Sequence, residues 1–346
     1  MTSPRSLELP AGAQLVYIAE GGANIIYRIV SPAISPRSSK PSPPLSGSSD
    51  HPTVPAEFKG KLLRLRKDTL AGVSYQEIAR NFDKAIRPLF KPEELVDQEL
   101  IYLPQGLIQR CNEQLRTAEF TGKRPNQRRG LFLSVTEPFG LLVTDMTSFG
   151  NPGTELAELK PKWLLQSPSA PTGARKCRTC ALRDMKNHDA RRMGVMEVRS
   201  FCPLDLVSDK FEHVLRAAKL VKGYKDHARL ARVLYRNSTL LKVQTHQKIM
   251  KEVGFYGPSP HSRDKSLAMT LRDCTMYIKM PRNERGRVEI RLGDLDLKTA
   301  YGGKAQYWQD IEHRLINEGW YMGAKSNTQP CDCALQSPRG QPPPSM

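Results

Sequence analysis

Residues 15–30 are the segment that most restricts what this chain can fold into. Two apolar runs, Leu15–Ile18 and Ile25–Val30, flank the short sequence Glu20-Gly21-Gly22-Ala23-Asn24. Runs of β-branched and aromatic residues on both sides of a glycine turn are typical of an antiparallel hairpin. The sequence therefore predicts two strands joined by a flexible tip.

Further elements follow along the chain. Residues 59–67 alternate in part and predict a third strand, with Leu63 and Leu65 on one side and with Arg64 directed at the hairpin tip. Apolar spacing predicts helices at 75–90, 104–115, 208–222, near Arg229, 239–253 and 307–318, strands at 130–135, 140–146 and 154–160, and helix and strand elements at 267–279 and 288–298. This mixture indicates an α+β fold.

Length and composition suggest the domain organisation. At 346 residues the chain is long enough for two lobes, each with a core of its own. Residues 31–57 are dense in Ser and Pro, which predicts a disordered insertion, and residues 326–346 predict a disordered tail. We therefore expect an N-lobe at 1–157 and a C-lobe at 158–325.

The charge of the chain restricts its partners. The formal net charge is +18, from 53 Lys and Arg against 35 Asp and Glu. Such a balance indicates a polyanionic partner, which leaves nucleic acid, acidic lipid or a phosphorylated metabolite. No apolar run approaches the ~20 residues of a membrane span, and the N-terminus lacks a secretion signal. We expect an intracellular protein, in which the odd number of seven cysteines argues against disulfides.

Two acidic motifs stand in basic surroundings, Arg272-Asp273-Cys274 and Asp294-Leu295-Asp296-Leu297-Lys298. Phosphoryl transfer to an alcohol needs one carboxylate to take the hydroxyl proton and another to hold Mg²⁺. If the second motif is a strand, its alternation places both carboxylates on one face and both leucines on the core face. An edge strand with solvated acids has the same pattern and stays open as an alternative.

Two further segments suit phosphate binding. Small residues in the turn at 20–24 let backbone N–H groups approach the phosphates of a nucleotide, and Arg64 on the third strand favours this interpretation. A plain β-turn that needs positive φ at a glycine is the alternative. In Glu158-Leu159-Lys160-Pro161-Lys162, two cations flank a proline that fixes the backbone, so both can reach one set of phosphates. A solvated loop explains the same residues.

Cys177 and Cys180 have the spacing of a zinc-binding pair. A structural zinc ion needs four ligands, and only His188 follows closely, while Cys331 and Cys333 lie in the predicted tail. Because the sequence shows no closed set, it argues against a zinc ion.

Several motifs occur in the order found in inositol-pentakisphosphate 2-kinases. They are residues 158–162, Pro203-Leu204-Asp205-Leu206, Arg272-Asp273-Cys274-Thr275 and residues 294–298, and the turn at 19–24 fits the phosphate loop of that family. The chain resembles the shorter fungal members, which carry a Cys-Arg-Thr-Cys-Ala-Leu-Arg stretch. The resemblance implies the two-lobed α+β fold of inositol phosphate kinases, distantly like protein kinases, with the nucleotide between the lobes.

The same resemblance implies an enzyme that uses ATP and Mg²⁺ to phosphorylate the 2-hydroxyl of inositol 1,3,4,5,6-pentakisphosphate. It assigns the base to Asp273 and Mg²⁺ to Asp294 and Asp296. The implied ATP-binding residues are Glu20, Gly21, Gly22, Ala23, Asn24, Arg64 and Glu158. The implied inositol phosphate-binding residues are Arg128, Lys160, Lys162, Lys186, Arg232, Lys298, Lys304 and Tyr307. Lys304 and Tyr307 stand near the family's Arg and Tyr positions, which here hold Gly302 and Gln306.

Two other functions fit part of the sequence. A nucleic-acid binder without catalysis would explain the charge, but it leaves Asp273, Asp294 and Asp296 without a role. An inositol phosphate kinase of different specificity would keep every motif and differ in the isomers it accepts. We expect a monomer in the nucleus or the cytoplasm that requires neither nucleic acid nor a membrane.

Overall fold

The computed structural model describes residues 7–10, 13–30, 56–69, 73–148, 153–283, 285–300, 303–323 and 333–336. The chain divides into two compact units. Unit 1 comprises residues 1–80 and 96–145, and unit 2 comprises residues 81–95 and 146–346. Each unit contains strands and helices, which confirms the predicted α+β class. Within the described part of the chain, no helix has the length and apolar character needed to cross a membrane.

A six-stranded sheet forms the centre of unit 1. Its strands are β1 (Leu7–Glu8), β2 (Gln14–Glu20), β3 (Asn24–Val30), β4 (Lys61–Arg66), β5 (Gln98–Tyr102) and β6 (Phe139–Thr144), and they lie in the order β1-β5-β6-β4-β3-β2. The β1–β5 pair is parallel and the other pairs are antiparallel. The predicted hairpin and third strand are thus confirmed as β2, β3 and β4.

One helix covers each face of this sheet. Leu63 and Leu65 of β4 belong to the apolar cluster that includes residues of α2 (Leu107–Phe120). Leu62, which points the other way, clusters with Tyr75 at the start of α1 (Tyr75–Asn81). Successive strand residues face opposite sides, so this alternation in sequence gives unit 1 two apolar layers.

The predicted strand at 130–135 is wrong. Within this segment the structure has only an isolated bridge, between Leu133 and Lys67. The side chain of Asn112 on α2 donates to the Leu133 carbonyl at 3.0 Å and accepts from the Leu133 N–H at 2.8 Å. On one side the segment makes two backbone bonds to residues 66 and 68, and on the other side the Asn112 amide takes both backbone groups of Leu133, so pairing is limited to a single bridge.

The position of Arg64 also differs from the prediction. The strand register pairs Asn24, at the hairpin tip, with Arg66, whereas Arg64 pairs with Ile26 further along β3. The Arg64 guanidinium lies 5.5 Å from the ring centroid of Tyr75. The Tyr75 hydroxyl donates to Asn24 Oδ1 at 3.0 Å. Arg64 is therefore connected to the tip through an aromatic ring and does not itself lie at the tip.

Unit 2 has a small sheet surrounded by helices. The antiparallel sheet contains β7 (Thr154–Leu159), β8 (Thr275–Pro281) and β9 (Glu289–Gly293), in that order. The helices are α3 (Arg178–Arg192), α4 (Phe211–Ala218), α5 (His227–Leu234), α6 (Ser238–Ile249), α7 (Arg263–Leu271) and α8 (Lys304–Asn317). Short helical turns lie at Phe82–Ile86, Arg87–Leu89, Pro92–Glu94, Pro203–Val207 and Trp320–Met322, and unit 1 has two more at Ala56–Phe58 and Asn126–Arg128.

Sequence signals explain where several of these elements begin. Asn237 and Ser262 precede α6 and α7, and each side chain accepts the backbone N–H three residues later. This capping satisfies a donor that the first turn leaves unpaired. In β8, Met276, Ile278 and Met280 alternate into the core of unit 2 with no exposed surface.

The second acidic motif is not a strand. β9 ends at Gly293, and Asp294 has a φ of 57°, a left-handed conformation that cannot continue a strand. Leu295 is buried and Leu297 is partly buried against the core, as expected. Because the strand has ended, Asp294 and Asp296 do not lie on one strand face as the alternation in sequence predicted.

The two predicted disordered segments lie mostly outside the described residues, which omit 31–55 and most of 326–346. Of these two segments the structure describes only residues 56–57 and 333–336. Phe58 follows directly after the first segment in the turn Ala56–Phe58 and is buried in unit 1. Cys333 in the second segment is fully buried in unit 2.

A buried ion network holds the hairpin of unit 1. Glu20, at the end of β2, forms an ion pair with Lys67 and accepts two 2.9 Å hydrogen bonds from Arg124. All three side chains are at most 2% exposed. Burial raises the pKa of the Glu20 carboxyl, but the bonds from Arg124 and Lys67 outweigh it and lower that pKa to about 2. The carboxylate is therefore charged at every physiological pH.

We predict that Glu20→Gln lowers the free energy of unfolding by about 3 kcal/mol, because two buried cations lose their partner. The matched control is Glu99→Gln, since Glu99 pairs with Lys61 at 2.6 Å on the surface, and it should change stability by less than about 0.5 kcal/mol. Urea unfolding of unit 1 measures both. The folded pKa of about 2 lies below the ordinary 4.5, so the wild type should lose this stabilisation as the pH falls from 4.5 towards 2. Equal midpoints for both variants would contradict the prediction.

Candidate functional site

The lysine loop that follows β7 is fixed by one buried amide. Lys162 has a φ of 59°, so its backbone is in the left-handed region. Gln247 of α6 donates to the carbonyls of Lys162 at 2.9 Å and Leu271 at 3.0 Å, and its Oε1 accepts the Leu164 N–H at 2.9 Å. These three bonds join the loop to the end of α7. The Lys162 side chain is thereby positioned beside the residues that follow α7.

Asp273 lies between α7 and β8, at the centre of the predicted lysines. Its carboxylate oxygens lie 2.7 Å from Lys162 Nζ, 3.1 Å from Lys298 Nζ and 3.9 Å from Lys160 Nζ. Lys160 Nζ also donates to the Asp273 backbone carbonyl at 2.9 Å. The Asp273 side chain keeps 40% of its surface exposed. The fold brings three distant segments together in one cluster, with residues 160 and 162 from the first, residue 273 from the second and residue 298 from the third.

The electrostatics of this cluster favour the charged forms. Burial raises the pKa of the Asp273 carboxyl, but Lys298, Lys162 and Lys160 outweigh that effect and lower its pKa below the ordinary value. Burial lowers the pKa of Lys298, and the carboxylates of Asp294 and Asp273 reverse this and raise it. Asp273 is therefore an ionised carboxylate at neutral pH, which can accept a proton or a hydrogen bond.

The second acidic motif is attached to the same cluster. Lys160 Nζ forms an ion pair with Asp294. The Thr270 hydroxyl on α7 donates to the Ser266 carbonyl at 2.8 Å and accepts the Lys298 N–H at 2.9 Å. α7 thus positions Lys298 as well as Asp273. Asp294 and Asp296, the predicted Mg²⁺ ligands, stand on either side of the buried Leu295.

A cavity of about 220 Å³ opens beside these residues. Four of the predicted site residues line it, namely Lys162, Asp273, Lys298 and Lys304. The sequence reasoning missed another lining residue, Arg178, which is the first residue of α3 and is 3% exposed. The only local signal was its place next to Cys177. Cations from four distant segments line one cavity, since Lys265 and Arg272 join those already named, as a polyanion would require.

The floor of the cavity is aromatic. The Arg178 guanidinium lies 4.4 Å from the ring centroid of Phe255 and 5.1 Å from that of Trp163. The Arg272 guanidinium lies 4.0 Å from the ring centroid of Trp163. It also donates to the carbonyls of Val253 and Met250. Burial and the nearby Arg178 lower the pKa of Arg272 to about 10. Rings hold both guanidinium groups in fixed planes.

Five predicted site residues, all in the described part of the chain, neither line this cavity nor take part in the ion cluster of Asp273 or in the hairpin of unit 1. Lys186 on α3, Arg232 on α5, Tyr307 on α8 and Glu158 on β7 are all exposed, and Arg128 belongs to unit 1, in the turn Asn126–Arg128. Their assigned roles stay predictions.

The glycine turn of unit 1 is held by hydrogen bonds to its backbone. Lys67 Nζ donates to the Gly21 carbonyl at 2.9 Å, and the Gly21 N–H donates to the Asn24 carbonyl at 2.9 Å. Neither Gly21 nor Gly22 has a positive φ, so the alternative of a turn that needs glycine for its conformation is wrong. A Cβ at Gly22 would meet no atom within 4 Å. The open space above this turn is consistent with close approach of a ligand to the backbone.

Four cysteines of unit 2 converge on one point. Cys177 and Cys180 are joined there by Cys202 and Cys333, and the four Sγ atoms lie within 4.8 Å of one another. All four are at most 2% exposed and carry free thiols. Hydrogen bonds from the thiols of Cys177, Cys180 and Cys202 lower the pKa of Cys333. The spacing in sequence identified Cys177 and Cys180, whereas Cys202 and Cys333 join them only through the fold.

A charged carboxylate among cations beside a cavity is an arrangement typical of phosphotransferases that act on small molecules. The family model of inositol-pentakisphosphate 2-kinase matches residues 17–227 and 219–314. An inositol-pentakisphosphate 2-kinase of Yarrowia lipolytica is 30% identical over 287 residues, which cover 77% of this chain and 87% of the relative. The chain belongs to the inositol-pentakisphosphate 2-kinase family.

We predict that Gln247→Leu destabilises unit 2 by about 3 kcal/mol, because two carbonyls and one N–H lose their buried partner. Gln244→Leu is the matched control on the same helix, since the amide of Gln244 makes one long contact of 3.5 Å with the Leu164 carbonyl. It should change stability by less than about 0.5 kcal/mol. Thermal and urea unfolding measure the difference, and a Gln247 variant as stable as the control would disprove the bracing role.

Proposed function

We propose that this protein transfers the γ-phosphate of ATP to the 2-hydroxyl of inositol 1,3,4,5,6-pentakisphosphate and so forms inositol hexakisphosphate. The observation that carries this proposal is the Asp273 carboxylate among Lys160, Lys162 and Lys298, beside a cavity with further cations. Family membership supports the choice of substrate and of reaction. A nucleic-acid binder would need the cations but not the central carboxylate.

Substrate binding follows from competition for the lysines. A phosphate group is a stronger partner for Lys162 and Lys298 than a carboxylate, because it carries more charge and more acceptor oxygens. Arg178 and Lys304 line the same cavity and add two cationic donors. When substrate phosphates take these donors, the Asp273 carboxylate is released to accept a hydrogen bond from the substrate hydroxyl.

The chemistry then needs little covalent work from the protein. The hydroxyl oxygen attacks the γ-phosphorus, ADP leaves, and Asp273 takes the hydroxyl proton. Since the transition state is loose, the carboxylate chiefly orients the hydroxyl, and its low pKa does not prevent this role. The cationic side chains stabilise the charge on the transferring group.

We assign ATP to the glycine turn and Mg²⁺ to the acidic motif after β9. The turn leaves open space at Gly22, where a phosphate can approach the backbone. Asp294 and Asp296 supply the carboxylate oxygens that Mg²⁺ prefers, and Asp294 has to give up its ion pair with Lys160. When bound, the ion would neutralise charge on the β and γ phosphates.

We predict that Asp273→Asn lowers the rate of inositol hexakisphosphate formation by at least about 100-fold, because an amide cannot accept the proton. The control is Asp264→Asn, an exposed residue in the first turn of α7, which should leave the rate unchanged within about twofold. The assay uses Mg-ATP with inositol 1,3,4,5,6-pentakisphosphate and separates products by anion-exchange chromatography.

The same assay separates the remaining functions. Isomers that already carry a phosphate at position 2 should give no product, and product from them would indicate a kinase of different specificity. No product from a folded wild type would overturn the proposal and favour a binding role.

Because the pKa of Asp273 lies below its ordinary value of 3.8, its titration should not reduce kcat/KM above about pH 5.

We also propose that the four cysteines hold a structural zinc ion. Tetrahedral zinc with Zn–S bonds of about 2.3 Å places its sulfur ligands about 3.8 Å apart. The Sγ atoms of Cys177 and Cys202 are 3.7 Å apart, and those of Cys202 and Cys333 are 3.9 Å apart. Disulfide sulfurs would be about 2 Å apart. A bound ion would join the start of α3 to the segment before residue 203 and to the segment around Cys333.

We predict about one zinc ion per chain by elemental analysis of the purified protein, with loss of the metal in Cys202→Ser and Cys333→Ser. Cys111→Ser is the control, because Cys111 is a buried free thiol of unit 1 outside the cluster. It should keep its zinc. A wild type that neither carries nor takes up zinc would overturn this assignment.

Three further expectations belong to this proposal: a monomer, independence from nucleic acid and membranes, and a nuclear or cytoplasmic location. The excess of positive charge supports a soluble polyanionic substrate as well as the other partners. Light scattering and microscopy of a fluorescent fusion would measure the first and the last of these.

A further inference from the structure

The Arg178 guanidinium is bonded unevenly, because one of its buried nitrogens has no hydrogen-bond partner. Its Nε donates to Glu312 Oε2 at 2.8 Å. Its Nη2 is buried and has no hydrogen-bond partner, although the side chain is only 4% exposed. A buried donor without a partner is unfavourable, and the same guanidinium lines the cavity, so a ligand that binds there can relieve this cost.

Glu312 is the residue that creates the asymmetry. A carboxylate opposite arginine commonly accepts two parallel bonds from the guanidinium. Here Oε1 of Glu312 is already occupied, because it accepts from the hydroxyls of Tyr321 at 2.6 Å and Ser167 at 3.0 Å. Only Oε2 remains for Arg178. The network therefore holds the guanidinium through Nε and leaves Nη2 without a hydrogen bond.

The Glu312 network is buried, and its negative charge is balanced by Arg178. Glu312 is fully buried on α8, and burial together with the Glu312 charge raises the pKa of Tyr321, so the phenol stays protonated as a donor. The rings of Phe255 and Trp163 fix the plane of the Arg178 guanidinium from its faces. Rotation of Arg178 to pair both nitrogens with Glu312 would break the bonds from Tyr321 and Ser167.

We infer that Glu312 is a positioning residue for substrate binding: by holding Nε, it keeps the Arg178 guanidinium at the cavity wall, where the fork binds a phosphate oxygen of the inositol phosphate. Tyr321 and Ser167 act through Glu312 by keeping its second oxygen occupied. This inference rests on the proposed function, since it takes the anion in the cavity to be the phosphorylated substrate.

The test measures binding of inositol 1,3,4,5,6-pentakisphosphate by calorimetry without ATP, together with kcat and the KM of each substrate. Glu312→Gln should raise the Kd and the KM of the inositol phosphate by about 10-fold or more, and should leave the KM of ATP within about twofold. Tyr321→Phe, which keeps the charge, should raise the same Kd by a few-fold. The control Asp310→Asn changes an exposed carboxylate of α8 that accepts from Gln306 at 2.8 Å, and it should change neither constant.

A double-mutant cycle distinguishes positioning from general support of the fold. In an Arg178→Met background, Glu312→Gln should have less than about a twofold further effect on the Kd, because the residue through which it acts is gone. Full additivity, or an equal loss in both substrate KM values, would overturn the inference. If Glu312→Gln does not fold, Tyr321→Phe and Ser167→Ala carry the same comparison. Failure of the proposed function is separate, since the wild type itself would then make no hexakisphosphate.

Discussion

Mutual repulsion of Lys160, Lys162 and Lys298 is the constraint on which unit 2 depends. Three ammonium groups within reach of one point would separate without anions between them. Asp273 pairs with two of the lysines at 2.7 and 3.1 Å, and Asp294 pairs with the third. The resting site is thus an ion cluster, in which the proposed function has the carboxylates occupy the place of substrate phosphates. A polyanion can replace them without first assembling the cations.

The fold keeps this cluster in place with polar groups that have few alternatives. Gln247 satisfies three backbone groups of two segments, and the hydroxyl of Thr270 fixes the N–H of Lys298. Lys162 and Asp294 both adopt left-handed backbone conformations, which are unfavourable for residues with a side chain. Such conformations persist where surrounding bonds over-determine them, and they often mark functional sites.

The two units handle charge differently. In unit 1, Glu20 is buried with Lys67 and Arg124, so its charge is fully committed to holding the hairpin turn. In unit 2, Asp273 stays 40% exposed and its lysine partners remain exchangeable. The first arrangement stabilises a structure and the second can change partners when a ligand binds. This contrast explains why similar charged residues in one chain have different roles.

The sequence by itself determined the local features of this protein: the hairpin around Gly21 and Gly22, the third strand, most helices, and the motifs that supply Lys160, Asp273 and Lys298. Each of these has a short period or spacing that physical rules can recognise. It failed at 130–135, where the Asn112 side chain replaced a strand partner, and after Gly293, where a left-handed residue ended the alternation.

Only the tertiary structure decided which distant residues meet. Arg178 and Glu312 are 134 residues apart, and Cys333 reaches Cys177 across 156 residues. No local pattern records such pairings, because they depend on how α3, α8 and the last described segment pack against one another. The site therefore has two origins: its chemistry is written in short motifs, and its geometry comes from long-range packing.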